Sequence, residues 1–428
     1  MGQTQNVVIT GTGALCAAGR NPAAIWDVVK AGVSALSDIR QWDTAGWPRR
    51  VAGEIPDFDA VSLLKDRKIQ KFIRRSDVFG LYAAEQAIAE SGLSAYRDTL
   101  EEAVATHFND RTGVYVGSGG GSYQSQYDYF PLLSAAQGDL QTFGRELGDT
   151  VNPMWLLRTL PNNVLCHVGI RHGLKGSNAC ITNHSVSGML AIIEAAQALR
   201  YEDAERVVAV GHDAPVEPQA VLYFHQLGLL AQDTIRSFDR NRDGSLFGEG
   251  AAALMLETPA SASMRNAPVL GEVLGSGYAS DGEGLLAISD DGAGLSDAMN
   301  MALEDAQLQA SEVGVIVAHA NGTRQSDASE AAAIARVFGA DSPPVTGFKW
   351  VFGHLIAASG IIETVQALCG LRERRFPGIA TLRELDPALA GLRVSAAAFT
   401  PRSDVALVIS RGFGGTNAVV LIRAASGG

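Results

Sequence analysis

The pattern that most restricts how this chain can fold is an alternation. Short runs rich in valine and isoleucine are followed, again and again, by longer segments of helical periodicity. Asn6–Thr10, Val114–Val116, Arg206–Val210, Ala251–Leu256, Val313–Ala318 and Asp404–Ile409 read as strands. Pro22–Ala31, Asp77–Ser91, Ser187–Arg200, Leu295–Ala306, Asp327–Phe338 and Ile356–Leu371 read as helices. Such an alternation predicts an α/β protein with a largely parallel, buried sheet and helices on its faces. The pattern also occurs twice. NVVITGTGAL runs from a strand into glycines, and PVLGEVLGSGYASDG near residue 268 does the same. Each half then has a later strand ending in a polar element at a helix start. This predicts a duplicated domain dividing near Thr258–Arg265, with halves 1–258 and 259–428 sharing one interface.

Composition excludes several function classes. The 428 residues carry 34 Lys+Arg against 46 Asp+Glu, and the net charge of −12 argues against general nucleic-acid binding. Lys65, Arg67, Lys68, Lys71, Arg74 and Arg75 nevertheless crowd one short stretch, which taken alone reads as a solvated helix face. No apolar run reaches the roughly 18 residues of a membrane span. The opening MGQTQNVVITGTG lacks a basic segment before an apolar core, and Asn6 stands where a myristoylation signal wants Ser or Thr. Cys16, Cys166, Cys180 and Cys369 show no C-x-x-C spacing, and Cys180 reads as a buried packing residue. A reduced, cytoplasmic protein is the expectation.

Three motifs invite a cofactor or metal and do not hold up. Gly11-Thr-Gly13 follows a strand, but the next glycine, Gly19, falls too late for a dinucleotide fingerprint. Asp239-Arg-Asn241-Arg-Asp243-Gly244 opens like a calcium loop, yet its twelfth position is Gly250 rather than a bidentate Glu. The eight histidines lack zinc-ligand spacing. No cofactor and no metal are expected.

Four segments carry chemistry together. In Thr182-Asn-His-Ser185-Val-Ser-Gly188 a short β-prone run reaches Ser185 just before a long apolar helix, MLAIIEAAQAL. A side chain there sits beside unpaired amides at the positive end of a helix dipole, a place that suits a nucleophile and an oxyanion. Alone, Ser185 would read as a helix cap. His319-Ala-Asn-Gly-Thr323 with Asp327 and Glu330 follows a strand, where open α/β sheets place their sites. Lys349-Trp-Val-Phe-Gly353-His354 leads into a helix containing Glu363; a helix N-terminus would keep His354 neutral and donating. Gly412-Phe-Gly-Gly-Thr-Asn417 is a loop whose glycines let backbone amides approach a ligand.

These segments resemble the β-ketoacyl-acyl carrier protein synthases of the thiolase superfamily, the elongating class of fatty acid and polyketide pathways. The resemblance runs from VVITGTG through FDRNRDGSLFGEGAAALMLE to GFGGTN. The family's G-L-R-G followed by T-A-C-T-S-G aligns onto Gly173–Gly188, its H-G-T-x-T-x-x-x-D-x-x-E onto His319–Glu330, and its K-x-x-x-G-H with downstream Glu onto Lys349, Gly353, His354 and Glu363. It implies a thiolase-like duplicated α-β-α-β-α fold, an acyl carrier protein partner, acyl and malonyl thioester substrates, and a homodimer or a heterodimer with a related subunit. It also implies roles. The residue at position 185 takes the acyl group, His319 and His354 assist decarboxylation of malonyl-carrier protein, and the amides of Ser185 and Phe413 form an oxyanion hole. Lys349 and Glu363 pair, Phe413 gates the acyl pocket, and Thr323, Asp327, Glu330, Gly414, Gly415 and Thr416 support the site. Gly120 replaces a bulkier pocket residue, and the basic stretch Lys65–Arg75 docks the carrier. The family nucleophile is Cys, and Ser185 stands in its place, with His184, Ala320-Asn321 and Arg411 also departing from the pattern. A hydroxyl is harder to ionise than a thiol, so serine should handicap acylation unless a base assists it. Three explanations stay open: an engineered Cys→Ser exchange, a natural specialised acyltransferase, decarboxylase or condensing enzyme, or a partner subunit like the chain-length factors. A carrier-protein-binding module without the reaction is the alternative of another class.

Overall fold

β1 (Val7–Cys16) is buried along its whole length, which is why VVITGTGALC shows no in-out alternation. The computed structural model describes residues 6–120 and 129–425. Its further strands are β2 (Ser37–Asp38), β3 (Val51–Ala52), β4 (Thr112–Ser118), β5 (Asn178–Ile181), β6 (Arg206–Asp213) and β7 (Gly250–Glu257), then β8 (Gly271–Ser280), β9 (Val315–Val317), β10 (Val345–Thr346), β11 (Val405–Gly412) and β12 (Thr416–Ala424). β2 and β3 pair by themselves; the rest form one ten-stranded sheet ordered β10-β9-β11-β12-β8-β1-β7-β6-β4-β5.

That order contains the same motif twice. Read outward from the β1–β8 seam, one half runs β1-β7-β6-β4-β5 and the other β8-β12-β11-β9-β10, with matching strand directions. The seam itself is antiparallel, pairing Val7 with Val273, Val8 with Glu272 and Ile9 with Gly271. The sheet is mixed rather than largely parallel: β1–β7, β6–β7, β11–β12 and β8–β12 are antiparallel. The parallel expectation fails because antiparallel strands covered on both faces carry the same unbroken apolar runs as parallel ones.

Two buried helices, Ser187–Arg200 and Ser359–Glu373, pack against each other between the halves of the sheet. They are apolar almost all round, as a helix enclosed on every side must be. Arg75–Glu90 covers the outer face of one half and Ala293–Ala306 that of the other. The result is the layered, duplicated α/β arrangement that the resemblance implied. The glycines once suggestive of a phosphate loop have a packing role instead. Side chains at Gly11 and Gly13 would strike the carbonyls of Ala87 and Ala83, and side chains at Gly275 and Gly277 those of Ala302 and Ala298. Each half thus uses a glycine pair to bring its outer helix close to the sheet. Among the described residues, no helix is long and apolar enough to cross a membrane.

Candidate active site

Ser185 lies in a three-residue 3₁₀ turn, His184–Val186, between β5 and the buried helix Ser187–Arg200. The cap reading fails. It is the Ser187 hydroxyl that ties the turn, accepting from the Asn183 amide at 2.8 Å and donating to the His184 carbonyl at 2.7 Å. His184 sits at φ +47°, a left-handed conformation that a residue with a side chain seldom adopts. The second half repeats the device: Ile356, at φ +44°, opens the turn Ile356–Ala358 before helix Ser359–Glu373. These strained turns hold the two helix entrances against each other, and the Ser185 hydroxyl is aimed out of the first.

Ser185 Oγ lies 3.2 Å from His354 Nε2 and 2.9 Å from His184 Nδ1. The His354 and His319 rings meet edge to face with centroids 5.1 Å apart. Their tautomers follow from the backbone. The Ile356 N–H donates to His354 Nδ1 at 3.3 Å, and the Ser359 hydroxyl lies 2.8 Å from the same nitrogen. The Arg411 N–H donates to His319 Nδ1 at 3.2 Å. With Nδ1 accepting in both rings, each neutral imidazole carries its proton on Nε2 and can only donate from there. Burial, reinforced by the nearby Lys349 charge, holds both pKa values well below the usual 6.5. Two neutral N–H donors therefore line one cavity of about 590 Å³ with Ser185, Thr323, Arg411 and Phe413.

The surrounding carboxylates anchor the backbone. Glu330 accepts from the amides of His319 and Ala320 at 2.7 and 2.9 Å. Asp327 accepts from Gly322 and Phe238 at 3.1 and 2.7 Å, and burial pushes its carboxyl up to about 7. Lys349, fully buried, donates to the His319 carbonyl at 2.6 Å and to Glu363 at 2.7 Å. Burial pushes Glu363 up to about 7 against the opposing pull of that ammonium. Thr323 bonds Asn321 Oδ1 at 2.9 Å at the start of helix Arg324–Phe338. The glycine loop closes the other side. A side chain at Gly412 would come within 3.5 Å of the Ser185 amide nitrogen, so the loop abuts the nucleophile position. Gly414 and Gly415, at φ +78° and +67°, make the turn that carries Phe413 over the cavity, and the Thr416 hydroxyl holds the Phe413 carbonyl at 3.2 Å.

Family models for the beta-ketoacyl synthase N-terminal and C-terminal domains match residues 4–262 and 270–383. The chain belongs to the beta-ketoacyl synthase family. It is 30% identical over 434 residues to 3-oxoacyl-[acyl-carrier-protein] synthase 2 of Vibrio harveyi and 29% identical over 432 residues to that of Coxiella burnetii, with at least 98% of every chain covered. A beta-ketoacyl synthase from Burkholderia phymatum superposes with a TM-score of 0.86 at 27% identity, covering 99% of this chain and 100% of its own. The ishigamide ketosynthase/chain length factor gives the same TM-score and coverage at 25% identity. The fold is thus the thiolase-like fold of an acyl-transferring condensing enzyme.

Within this ketosynthase framework, Ser185, His319, His354, Thr323, Phe413 and Gly415 line one cavity, while Lys349, Glu363, Asp327 and Glu330 anchor the segments behind it and Gly414 and Thr416 shape the Phe413 loop. Gly120 does not join them. It lines a second cavity of about 780 Å³, separated from Ser185 by the stacked rings of Phe224, His184 and Phe413. The basic stretch divides. Lys65, Arg67, Lys68 and Lys71 are exposed, but Arg74 is buried against Asp77 and the Gly120 carbonyl, and Arg75 pairs with the buried Glu249. Arg74 and Arg75 are thus each committed to an acidic partner inside the fold; charge spacing alone cannot tell an exposed arginine from one with a buried acidic partner. Cys180 is half-buried in β5, its thiol donating to the Pro161 carbonyl at 3.4 Å, rather than a fully packed core residue. Sequence reasoning missed the tautomer-setting amides of Arg411 and Ile356, for which a linear sequence holds no signal. It flagged His184 only as unusual.

Proposed function

We propose that this ketosynthase performs decarboxylative condensation of an acyl group with malonyl-acyl carrier protein, in fatty acid or polyketide synthesis. The observation that carries the reading is the convergence of Ser185 Oγ with two neutral N–H donors, His319 and His354, on one cavity. Ser185 takes the acyl group from a carrier thioester, with the Ser185 and Phe413 amides facing the developing oxyanion. Malonyl-carrier protein then loses carbon dioxide, and its enolate oxygen is stabilised by the two histidine Nε2–H groups. The enolate carbon attacks the acyl-serine ester, a C–C bond forms, the ester C–O bond breaks, and Ser185 recovers a proton from solvent. Lys349 and Glu363 hold His319 in place, Phe413 gates the way to the cavity at Gly120, and Lys65, Arg67, Lys68 and Lys71 steer the acidic carrier. Retention of both histidines and Lys349 favours this over a chain-length-factor-like partner or a binding module, neither of which needs donors at a reaction centre.

We also propose assembly through β5. This strand ends the sheet, and Trp155, Leu156, Leu157 and Ile170 are exposed on neighbouring segments, so a second ketosynthase subunit would extend the sheet and cover them. Light scattering of the purified chain tests the assembly. The reaction is tested by carbon dioxide release from malonyl-carrier protein. His354→Ala should slow it about 10²–10³-fold, the usual cost of losing one preorganised donor. No release by the chain or by its Ser185→Cys variant would favour the partner-subunit reading.

A further inference from the structure

His184 separates this chain from the pattern its family shows at the nucleophile turn, and the geometry gives it a task. Serine requires a base that a cysteine thiolate does not. Among the described residues, two nitrogens face Ser185 Oγ, and they are not equivalent. His354 presents Nε2–H, because its Nδ1 is occupied by the Ile356 N–H, so it donates to the serine oxygen and cannot take its proton. His184 presents Nδ1 at 2.9 Å. Its ring is held in a stack, 4.6 Å from Phe413 at an interplanar angle of 18° and 6.2 Å from Phe224 at 12°.

We infer that His184 is the general base that activates Ser185, so that the two departures from the family pattern form one working dyad. The inference rests on the acyl-transfer reading above. The Ser185 proton moves from Oγ to His184 Nδ1 as Oγ bonds to the thioester carbonyl carbon. The C–S bond then breaks, and the imidazolium returns the proton to the departing carrier sulfur, giving acyl-serine and free carrier thiol. The aromatic faces of Phe413 and Phe224 stabilise the transient imidazolium. Burial keeps His184 unprotonated at neutral pH, its pKa lowered to about 4, so the lone pair is available before substrate arrives.

The test exploits the backbone at position 184. At φ +47° glycine is the least strained residue, so His184→Gly should fold while opening a ring-sized gap beside the Phe413–Phe224 pair. Acylation by acetyl-N-acetylcysteamine thioester is followed by intact mass. His184→Gly should acylate about 100-fold more slowly or worse, the usual weight of a general base, and free imidazole should restore the rate. In the Ser185→Cys background, His184→Gly should change the rate less than about threefold, because a thiolate needs no such base. Unchanged acylation of His184→Gly, or an equal loss in the Ser185→Cys background, overturns the dyad while leaving the proposed function standing. No adduct on the parent chain, with rapid labelling of Ser185→Cys, removes Ser185 as nucleophile and takes both readings down together.

Discussion

The Lys349 ammonium donates to the backbone carbonyl of His319 at 2.6 Å, so the position of one catalytic candidate is held by a buried cation on another element. Glu363 completes the arrangement at 2.7 Å, and both side chains are fully buried. Removing one partner leaves the other charge uncompensated. Lys349→Ala should therefore cost about 3–5 kcal/mol in urea unfolding. The paired exchange Lys349→Met with Glu363→Leu should recover most of that loss. It should still depress carbon dioxide release, because the His319 carbonyl has lost its donor. Full activity in the paired variant would make the ion pair purely structural.

The pH dependence of decarboxylation should reflect the locked tautomers. Protonating His319 or His354 requires a proton on Nδ1, where the Arg411 and Ile356 amides already point. Both groups have pKa values below 6.5, so they remain neutral as pH falls through the ordinary histidine range. With Asp327 and Glu363, whose own carboxyls are raised to about 7, exchanged for Asn and Gln, the remaining rate should stay level across pH 6–8 and decline only in more acidic solution. An acid limb centred at 6.5 would contradict the assignment.

Asp327 offers a linkage measurement. Its carboxyl is raised from 3.8 to about 7 in the folded chain, chiefly by burial. The folded state therefore holds the proton more tightly than the unfolded one. Its stabilising contribution is complete below 3.8 and is lost as pH rises through 7. Asp327→Asn cannot titrate, so between pH 5 and 8 the wild-type chain should lose stability relative to it by roughly 2–3 kcal/mol, the part of the full linkage that falls in that range. A pH-independent offset from the changed hydrogen bonding is expected and does not affect the slope.

The basic stretch should show two behaviours. Reversing Lys65, Lys68 and Lys71 to Glu should slow association with an acidic carrier protein at low salt, with the difference shrinking as salt rises. Arg75→Glu should act on folding instead. It places a like charge against Glu249, whose carboxylate also accepts the Ile55 amide at 2.8 Å, and thermal unfolding should register the loss. Unchanged low-salt association in the lysine variant would return those residues to an ordinary solvated surface.

Much of this molecule is legible without coordinates. The strand at Arg206–Val210, the helix at Ser187–Arg200 and the glycine-strand opening repeated near residue 268 follow from periodicity, because an element's type depends on the spacing of apolar residues within it. The segments holding Ser185, His319, Lys349 and His354 were likewise visible as polar clusters at strand ends and helix starts. Their meeting was not. Ser185 and His354 are 169 positions apart, and what joins them is the packing of two buried helices between the two halves of a sheet. The proton positions on His319 and His354, the stacking of His184 on Phe413, and the pairing of Arg74 and Arg75 with buried acidic partners are likewise products of that packing. Local pattern specifies which face of an element is apolar; which hydrogen-bond donor or counter-charge stands opposite a given side chain depends on contacts between distant segments, and those exist only once the chain has folded.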